Sequence, residues 1–309
     1  MAPTSTPITI VLCTHNGAAH LEAQLQSYLD QTHRNWALWV SDDGSDDATP
    51  DILRAFQAAH GDAHDIRLLR GPCAGAAQNY LHTLCHPDLP LAHVALSDQD
   101  DVWHPDTLAR ALARIDALEA PLIYGAQSLH TRADLTPIRP SAPPPRPVGF
   151  ANALVQNVIS GHSCVLSPEA LELVRATGVP QGVPYHDWWL YLLVSAAGGQ
   201  VVVDDAVVLS YRQHAGNLMG GNRGPAAKIA RLGMILGGAY GRWIAANMAA
   251  LGAISAALSP EAQRVIAQYH ASPARIGPPR RALWRDMGAY RQTGLANRVL
   301  ALAAFLGRI

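Results

Sequence analysis

Short apolar runs alternate with amphipathic segments along the first 124 residues of the chain. The opening run, Ile8 to Cys13, is β-branched and almost continuous, which is typical of a parallel strand buried on both faces. Residues 18–31 then carry apolar side chains at helical spacing. Further strands are predicted at 36–40, 66–69, 91–96 and 122–124, and helices at 47–58, 74–84 and 105–118. This alternation predicts βαβ units, and therefore an α/β fold with a mostly parallel central sheet flanked by helices.

The pattern becomes less regular after residue 124 and then wholly helical. Six prolines between residues 136 and 149 predict a loop or an extended segment. Short strands are predicted at 163–166, 201–203 and 206–211, and helices at 168–176 and 185–196. After Gly224 the composition changes to Ala, Gly, Leu and Arg. We therefore expect an α/β domain of residues 1–217 and a basic, helical C-terminal extension of residues 218–309.

The net charge of −1 hides a strong asymmetry between the two ends of the chain. Residues 1–215 carry 11 arginines against 22 acidic residues, whereas residues 216–309 carry 12 basic residues against 2 acidic ones. A basic tail on an acidic body indicates an anionic partner: a membrane leaflet, a nucleic acid or the acidic body itself. We expect no nucleic-acid binding, because the tail lacks a recognised nucleic-acid motif and the body is acidic.

The cysteines and the apolar stretches of the chain indicate the cellular compartment in which the protein works. The four scattered cysteines contain no CxxC pair, and the first seven residues lack the basic and apolar regions of a secretory signal. Both features predict a cytoplasmic protein with reduced thiols. The longest uncharged stretch of the tail, 243–260, is too weakly apolar to span a bilayer. Residues 282–309 mix Leu, Trp and Phe with arginines, so this segment either lies on the anionic inner face of the cytoplasmic membrane or packs on the body.

A strip of acidic residues, Asp98-Gln99-Asp100-Asp101, follows the predicted strand 91–96. Three carboxylates this close repel one another unless a positive charge lies between them. Mg²⁺ held by one or two carboxylates and by substrate phosphates is a common solution, and a solvated acidic turn is the alternative. The turns 14–17 and 42–44 also end predicted strands. Because ligands bind at the carboxyl ends of parallel strands, we expect the three turns to converge on one nucleotide site.

Five motifs in order carry a resemblance to a known family. They are Thr14-His15-Asn16-Gly17, Asp42-Asp43-Gly44-Ser45, Asp98-Gln99-Asp100, His186-Asp187-Trp188-Trp189, and Tyr211-Arg212-Gln213-His214 followed by Gly216-Asn217. The chain resembles the family 2 glycosyltransferases of the GT-A fold, and in particular a rhamnosyltransferase-like subgroup. The resemblance covers roughly residues 7–217 and implies that this segment is a catalytic domain.

The resemblance also implies roles for individual residues. Asp100 and His214 would hold a divalent metal, Mg²⁺ or Mn²⁺, Asp187 would be the catalytic base, and Trp188 and Trp189 would contact the acceptor. The residues implied for the donor nucleotide are Thr14, His15, Asn16, Gly17, Asp42, Asp43, Asn79, Asp98 and Arg212.

Structural roles are the alternative for several of these residues. Asp42 and Asp43 suit an Asx turn before Gly44, and Asp187 suits a helix N-cap. Two adjacent tryptophans on a helix point about 100° apart, so one of them is expected in the core. Arg212 would form a salt bridge with Asp204 or Asp205 in place of contacting a diphosphate.

The function implied by the resemblance is inverting, metal-dependent transfer of a single sugar from a nucleotide-sugar donor. The donor would be dTDP-rhamnose, with UDP- and GDP-sugars as alternatives, and the acceptor a surface polysaccharide or a lipid-linked glycan. Ala239 stands where processive members carry the Gln of QxxRW, which favours transfer of one sugar.

Two other functions remain open. A sugar-phosphate nucleotidyltransferase would need a Gly-rich basic loop after the first strand, where residues 14–17 offer one Gly and no Lys or Arg. A non-catalytic nucleotide- or carbohydrate-binding protein is the second alternative.

Overall fold

The computed structural model describes residues 6–116, 118, 120–214, 233–234 and 237–309. Its described part forms two compact units. Unit 1 comprises residues 6–143, 159–179 and 199–214, and unit 2 comprises 144–158, 180–198 and the described residues from 233 onward. The segment 1–217 contributes to both units, and the domain boundary at residue 217 stays a prediction. Gly216 and Asn217, which end the last motif, lie outside the described residues.

The strands and helices predicted from the sequence occur in the expected order, except that the two strands predicted after residue 200 form one, and three short elements at 102–103, 137–140 and 150–153 are additional. The described strands and α-helices are β1 (Ile8–Thr14), α1 (Leu21–Leu29), β2 (Trp36–Asp42), α2 (Thr49–His60), β3 (Ile66–Arg70), α3 (Ala76–Leu84), β4 (His93–Ser97), β5 (Val102–Trp103), α4 (Thr107–Ile115), β6 (Leu122–Thr131), β7 (Pro137–Pro140), α5 (Phe150–Ala153), β8 (Val165–Leu166), α6 (Pro168–Thr177), α7 (His186–Ala196), β9 (Gln200–Arg212), α8 (Ala239–Ala253), α9 (Pro260–Ala271), α10 (Gly277–Asp286) and α11 (Gly294–Phe305).

All described strands join one sheet of unit 1, in the order β3-β2-β1-β4-β8-β6-β9-β5, with β7 paired to β6. The half formed by β3, β2, β1 and β4 is parallel, as the alternation of strands and helices predicts. The other half is mixed: β6 and β9 are parallel, while β8, β7 and β5 pair antiparallel with their neighbours. The chain therefore has an α/β fold whose parallel half carries the predicted turns.

The sheet departs from the sequence prediction in its second half. Residues 200–212 form a single strand, although the pair Asp204-Asp205 predicts a break between two short ones. Asp204 is buried because Arg110 donates to both of its carboxylate oxygens, at 2.8 and 2.9 Å, and Tyr124 donates to one of them. Part of the proline-rich segment forms β7 at the edge of β6, a position that proline tolerates because it needs no ladder donor.

The core of unit 1 lies between the sheet and its helices. Its buried residues are apolar side chains of the strands and the inward faces of α1, α2 and α4, including Ile8, Ile10, Leu12, Leu21, Leu25, Leu38, Val40, Leu53, Leu108 and Leu112. Full burial of one such side chain contributes about 1.5–3 kcal/mol. The sheet is therefore a rigid base for the turns at its edge.

Unit 2 is built around α7, whose residues Trp188 to Ala196 are all buried. A helix that is apolar on every side must be enclosed by other elements. The Tyr191 hydroxyl contacts the Asn152 side chain and the backbone of Gly149, which fixes α5 beside α7. The helices α8 to α11 belong to the same unit. None of the described helices combines the length and apolar character that crossing a membrane requires.

We expect Asp204→Asn to lower the free energy of unfolding by about 1–3 kcal/mol at pH 7, because the substitution weakens a buried, charge-assisted contact. Burial alone would raise the pKa of Asp204, but the hydrogen bonds and charge of Arg110 lower it below its ordinary value. The contribution is thus complete above the unfolded-state pKa near 4 and is lost as the pH falls through the folded-state value.

Urea unfolding of the two proteins should give curves that differ equally at pH 7 and pH 5 and converge below about pH 4. Asp65→Asn is the matched control, since its ion pair with Arg67 is exposed on both sides and is worth at most about 1 kcal/mol. A difference that persists undiminished at pH 3.5 would contradict the electrostatic explanation.

Candidate active site

The three predicted turns meet at one edge of the sheet. Because β1 pairs in parallel with both β2 and β4, their carboxyl ends leave the sheet side by side. The Thr14 hydroxyl, at the end of β1, donates to Asp42 Oδ1 at the end of β2, at 2.8 Å. The Asn16 side-chain oxygen accepts from the backbone N–H of Asp46 at 2.9 Å. The structure therefore brings the predicted turns together at one edge of the sheet, and the nucleotide site expected there stays a prediction.

Gln99 joins the first turn to the acidic loop. Its side-chain oxygen accepts from the backbone N–H of His15 at 2.9 Å, and its amide donates to the His15 carbonyl at 3.0 Å. Gly17 leaves room for this contact, since a Cβ on it would lie 2.2 Å from Gln99 Oε1. Gln99, the middle residue of the Asp98-Gln99-Asp100 motif, therefore links the end of β4 to the turn after β1.

The two acidic residues after β2 have different surroundings. Asp42 accepts from the backbone and hydroxyl of Ser45, three residues ahead, at 3.0 and 2.6 Å, so its carboxylate closes the turn around Gly44. Asp43 is buried, and its oxygens accept from the backbone N–H groups of Cys73 and Gly75 at 2.6 and 2.8 Å. Asp43 therefore shapes the loop after β3.

A cavity of about 340 Å³ lies beside Asp42. Its lining includes Asp42, Gly44, Ser45, Leu53, Leu68 and Arg70. A mostly apolar hollow with few polar groups is typical of small-molecule sites. Asn79 does not line it: this side chain is buried and exchanges hydrogen bonds with the Ser41 hydroxyl and carbonyl, at 2.6 and 2.8 Å.

Asp100 and His214 are in direct contact in the structure. His214 Nε2 lies 2.6 Å from Asp100 Oδ2, although the two residues are 114 positions apart. Arg212 holds the acidic loop through two hydrogen bonds. Its backbone N–H donates to Asp101 Oδ1 at 3.1 Å, and its Nε donates to the Asp100 carbonyl at 2.9 Å. The Asp204 carboxylate pairs with Arg110, and among the described residues Arg212 forms no salt bridge with Asp204 or Asp205, so this alternative is wrong.

The remaining two carboxylates of the loop lie close to His162. Its Nδ1 is 3.9 Å from Asp98 Oδ2 and 3.6 Å from Asp101 Oδ2. Asp101 is fully buried, and its Oδ2 accepts no hydrogen bond from any described residue. Burial first, and then the charges of Asp98 and Asp100, raise the pKa of Asp101 well above its ordinary value. A cation close to Asp101 would stabilise the ionised form of this buried carboxyl.

The donor atoms present fit a divalent metal. Asp100 and His214 bring an oxygen and a nitrogen together, and one ligand atom each from Asp98, Asp101 and His162 lies within 4.8 Å of the others. Carboxylate oxygens suit Mg²⁺ and Mn²⁺, and a histidine nitrogen suits the transition metals better. The acidic loop therefore contributes to two candidate sets of metal ligands that share no residue, and the resemblance in the sequence implies the first of them.

Two histidines escape the motif search. His162 lies on a one-turn 3₁₀ helix, Gly161–Ser163, and the sequence favours a structural role for a lone histidine between small residues. The ring of His20 is 5.1 Å from the ring of His214. Burial first, and then the charges of Arg212 and His214, lower the pKa of His20, which therefore favours the neutral form. In the sequence, the position of His20 just before α1 indicates only that a helix begins there.

The HDWW motif lies in unit 2, at the start of α7. Asp187 is half-buried in the first helical turn, where the helix dipole stabilises a carboxylate, and its Oδ1 accepts from the backbone N–H of Trp188 at 2.7 Å. Both indole rings, predicted to contact the acceptor, are buried. Trp188 donates to the Ala153 carbonyl at 2.7 Å and stacks on Tyr240. Neither ring presents a face to solvent, because α7 is enclosed on all sides.

Fold and site define the class of protein. A parallel half-sheet whose strand ends gather Asp42, Asp98 and Asp100 is the arrangement of a GT-A glycosyltransferase. Residues 9–166 match the model of glycosyl transferase family 2, and the chain belongs to this family.

Known proteins similar to this chain include glycosyltransferases from bacteria and archaea. The dTDP-rhamnosyl transferase RfbG of Shigella flexneri is 27% identical over 236 residues, which cover 72% of this chain and 78% of that protein. TarS of S. aureus, residues 1–349 in complex with UDP, superimposes with a TM-score of 0.58 at 14% identity, covering 98% of this chain and 88% of that one. The mannosyltransferase PcManGT from Pyrobaculum calidifontis, in complex with GDP-Man and Mn²⁺, gives 0.56 at 20% identity, covering 98% and 86%.

We expect Gly17→Ala to weaken the link between the first turn and the acidic loop, because the new Cβ must displace the Gln99 amide from His15. The cost should fall in a Gln99→Ala background, because the three atoms nearest to the new Cβ all belong to the Gln99 side chain. A double-mutant cycle measured by urea unfolding should therefore give a coupling of about 0.5–3 kcal/mol between the two positions. Equal costs of Gly17→Ala in both backgrounds would show that the Gln99 side chain does not restrict this position.

Proposed function

We propose that this chain is an inverting, metal-dependent glycosyltransferase that transfers a single rhamnose from dTDP-rhamnose to a surface polysaccharide or lipid-linked glycan. The observation that carries the metal-dependent mechanism is the contact between Asp100 and His214 in the acidic loop at the end of β4. The similarity to a dTDP-rhamnosyl transferase over most of the chain supports the donor. We place the reaction in the cytoplasm, and the four free thiols are in keeping with a reducing compartment.

The donor nucleotide would bind along the three turns. The cavity beside Asp42 has space for a nucleobase, and Thr14 and Ser45 hold the Asp42 carboxylate at its wall. The backbone of His15, Asn16 and Gly17 is fixed by Gln99, Ser45 and Thr49, so this turn offers a preformed surface to the ribose. Asp98 is held by the Tyr80 hydroxyl at 2.9 Å and would approach the ribose and diphosphate. Asp43, Asn79 and Arg212 would act by holding these groups in place.

Asp100 and His214 would hold Mg²⁺ or Mn²⁺. When bound, the metal supplies positive charge to the departing diphosphate. Arg212 fixes the Asp100 backbone through the contact of its Nε with the Asp100 carbonyl, and Asp101 anchors the Arg212 backbone in turn. The chain thus provides an oxygen and a nitrogen ligand on supports that need little rearrangement before metal binds.

Asp187 would be the general base. In an inverting transfer the acceptor hydroxyl attacks the anomeric carbon from the side opposite the diphosphate, and it must lose its proton as it does so. Asp187 lies in the first turn of α7, and the backbone N–H of Trp188 donates to its Oδ1 at 2.7 Å, which orients the carboxylate.

Acceptor contact near the HDWW motif would involve the surface that the buried tryptophans support. Trp188 stacks on Tyr240, whose ring makes an edge contact with Trp243, and Trp243 in turn contacts Tyr185. Tyr185 and Trp243 are only half-buried. The charge of Asp187 contributes to the raised pKa of Tyr185, after burial, so these two side chains are near one another.

We expect dTDP to raise the melting temperature only when Mn²⁺ or Mg²⁺ is present, because a ligand that binds the folded state stabilises it by mass action. In a panel with UDP, GDP, ADP and CDP, the largest metal-dependent shift should occur with dTDP. Asp100→Asn should abolish the part of the shift that depends on metal. Asp62→Asn is the matched control, since it removes the same charge from an exposed turn. A dTDP shift that survives in Asp100→Asn would refute the assigned metal ligand.

We expect Asp187→Asn to reduce the rate of sugar transfer by about 10²–10⁴-fold, the usual contribution of a general base. Its affinity for dTDP should stay unchanged. The measurement is release of dTDP from dTDP-rhamnose in the presence of a lipid-linked glycan fraction, with nucleotide affinity determined in parallel. Glu169→Gln, which removes a carboxylate from the first turn of α6, is the control. Full activity of Asp187→Asn would assign the base to another group, and dTDP binding without turnover in the unmodified protein would favour the non-catalytic alternative.

A further inference from the structure

The outward face of the last described helix is apolar. Residues Leu295, Leu302 and Phe305 of α11 are 72%, 53% and 45% exposed, whereas Leu300, Ala303 and Ala304 on the opposite side are buried. The spacing of the exposed residues places them on one stripe of the helix, with Arg298 between them. Helix α9 of the same unit is the internal comparison, because its exposed residues are mostly polar, among them Glu261, Arg264 and Gln268.

The stripe continues beyond the end of α11. Leu306 is 45% exposed, and Ile276, at 68%, lies against the turn that follows it. A Cβ on Gly307 would be only 2.5 Å from the Ile276 side chain, so these residues are neighbours in space. We call the exposed residues Leu295, Leu302, Phe305, Leu306 and Ile276 the apolar patch. Large exposed side chains that are contiguous indicate an interaction surface, whereas scattered ones do not.

Arginines adjoin the apolar patch. A shallow cavity of about 430 Å³ is lined by Arg281, Asn297, Arg298, Ala301, Leu302 and Phe305, so two guanidinium groups and two patch residues share one hollow. Both arginines are exposed, as is Arg275 next to Ile276. Residues 233–309 contain nine arginines and two acidic residues, and one of these, Asp286, is paired with Arg285. The partner of this surface must therefore supply negative charge as well as apolar contact.

We propose that the apolar patch and its arginines form the surface by which this protein lies on an anionic lipid bilayer. The leucine, isoleucine and phenylalanine side chains would enter the boundary between headgroups and acyl chains, and Arg281 and Arg298 would bind lipid phosphates. A second copy of the chain is a poorer occupant. A two-fold interface would bring the arginines of both copies together without acidic residues between them.

The structure also changes the membrane segment that the sequence predicts. Residues 282–309 form parts of two helices, α10 and α11, and not one amphipathic helix. Trp284, which the sequence pattern includes in the apolar face, is buried against Tyr269, and Arg280 lies over both rings. Arg291 is also engaged within unit 2, where it donates to the Val155 carbonyl at 3.0 Å. The membrane surface is thus smaller and lies mainly on α11.

Co-sedimentation of the full chain with vesicles tests this surface without any substrate. We expect binding to vesicles of phosphatidylcholine and phosphatidylglycerol at a 70:30 ratio, weaker binding in 0.5 M salt, and little binding to phosphatidylcholine alone. Arg281→Gln with Arg298→Gln should weaken partition by about 30-fold, and Leu302→Ser with Phe305→Ser by at least about tenfold. All four positions are exposed, so the variants should keep the melting temperature of the unmodified protein.

Two control variants match these changes in chemistry. Arg54→Gln with Arg264→Gln removes the same charge from exposed sites elsewhere, and Leu91→Ser removes a leucine that is 56% exposed in unit 1. Both should bind vesicles like the unmodified protein. The proposal is overturned if anionic vesicles fail to sediment the protein, or if the patch variants bind as well as the controls. It is also overturned if light scattering shows a dimer that Leu302→Ser with Phe305→Ser dissociates while vesicles remain unbound.

Discussion

The crowding of carboxylates at the end of β4 is the constraint on which the site depends. Asp98, Asp100 and Asp101 lie within four consecutive positions, where their negative charges repel one another. The structure keeps them together by giving each a different partner: Tyr80 for Asp98, His214 for Asp100, and the Arg212 backbone for Asp101. A nearby cation stabilises carboxylates held at such short range. Under the proposed function, the positive charge of a divalent metal would lower the repulsion between these carboxylates.

A neutral hydrogen-bond network beneath the acidic loop makes this crowding tolerable. Ser97, the last residue of β4, accepts from the Gln24 amide and the Tyr28 hydroxyl, each at 2.7 Å, and its carbonyl accepts from Tyr80. All four side chains are buried. These buried hydrogen bonds connect α1 and α3 to Ser97, so they fix where the strand ends and the loop begins. The rigidity of the loop thus originates in uncharged residues that no motif includes.

The sequence predicts the parallel half of the fold and the convergence of the turns well, because both follow from local patterns. β-branched runs mark buried strands, and parallel strands must end at the same edge. The sequence predicts less of the structure where contacts between residues far apart in the chain determine it. The sequence around Asp204 does not indicate that Arg110 will pair with it. This ion pair allows Asp204 to be buried within one continuous strand, where the sequence predicts two short ones. His162 lacks a motif, and its approach to Asp98 and Asp101 arises only from the antiparallel pairing of β8 with β4. Trp188 and Trp189 belong to a motif but are buried, because a sequence motif does not indicate whether its side chains reach the surface.

The excess of arginines in the C-terminal part of the chain divides into arginines that form internal contacts and arginines that are exposed. Several tail arginines are structural: Arg280 donates to the carbonyl of Ile309, and Arg291 to that of Val155. Arg281 and Arg298, by contrast, are exposed beside apolar residues of α11. Residues 1–215 carry twice as many acidic residues as arginines, so an anionic surface repels that part of the chain and attracts the other. Electrostatics would therefore select one orientation at a lipid surface before any apolar contact forms, and apolar contact would then make that orientation persist in salt, where charge alone is screened.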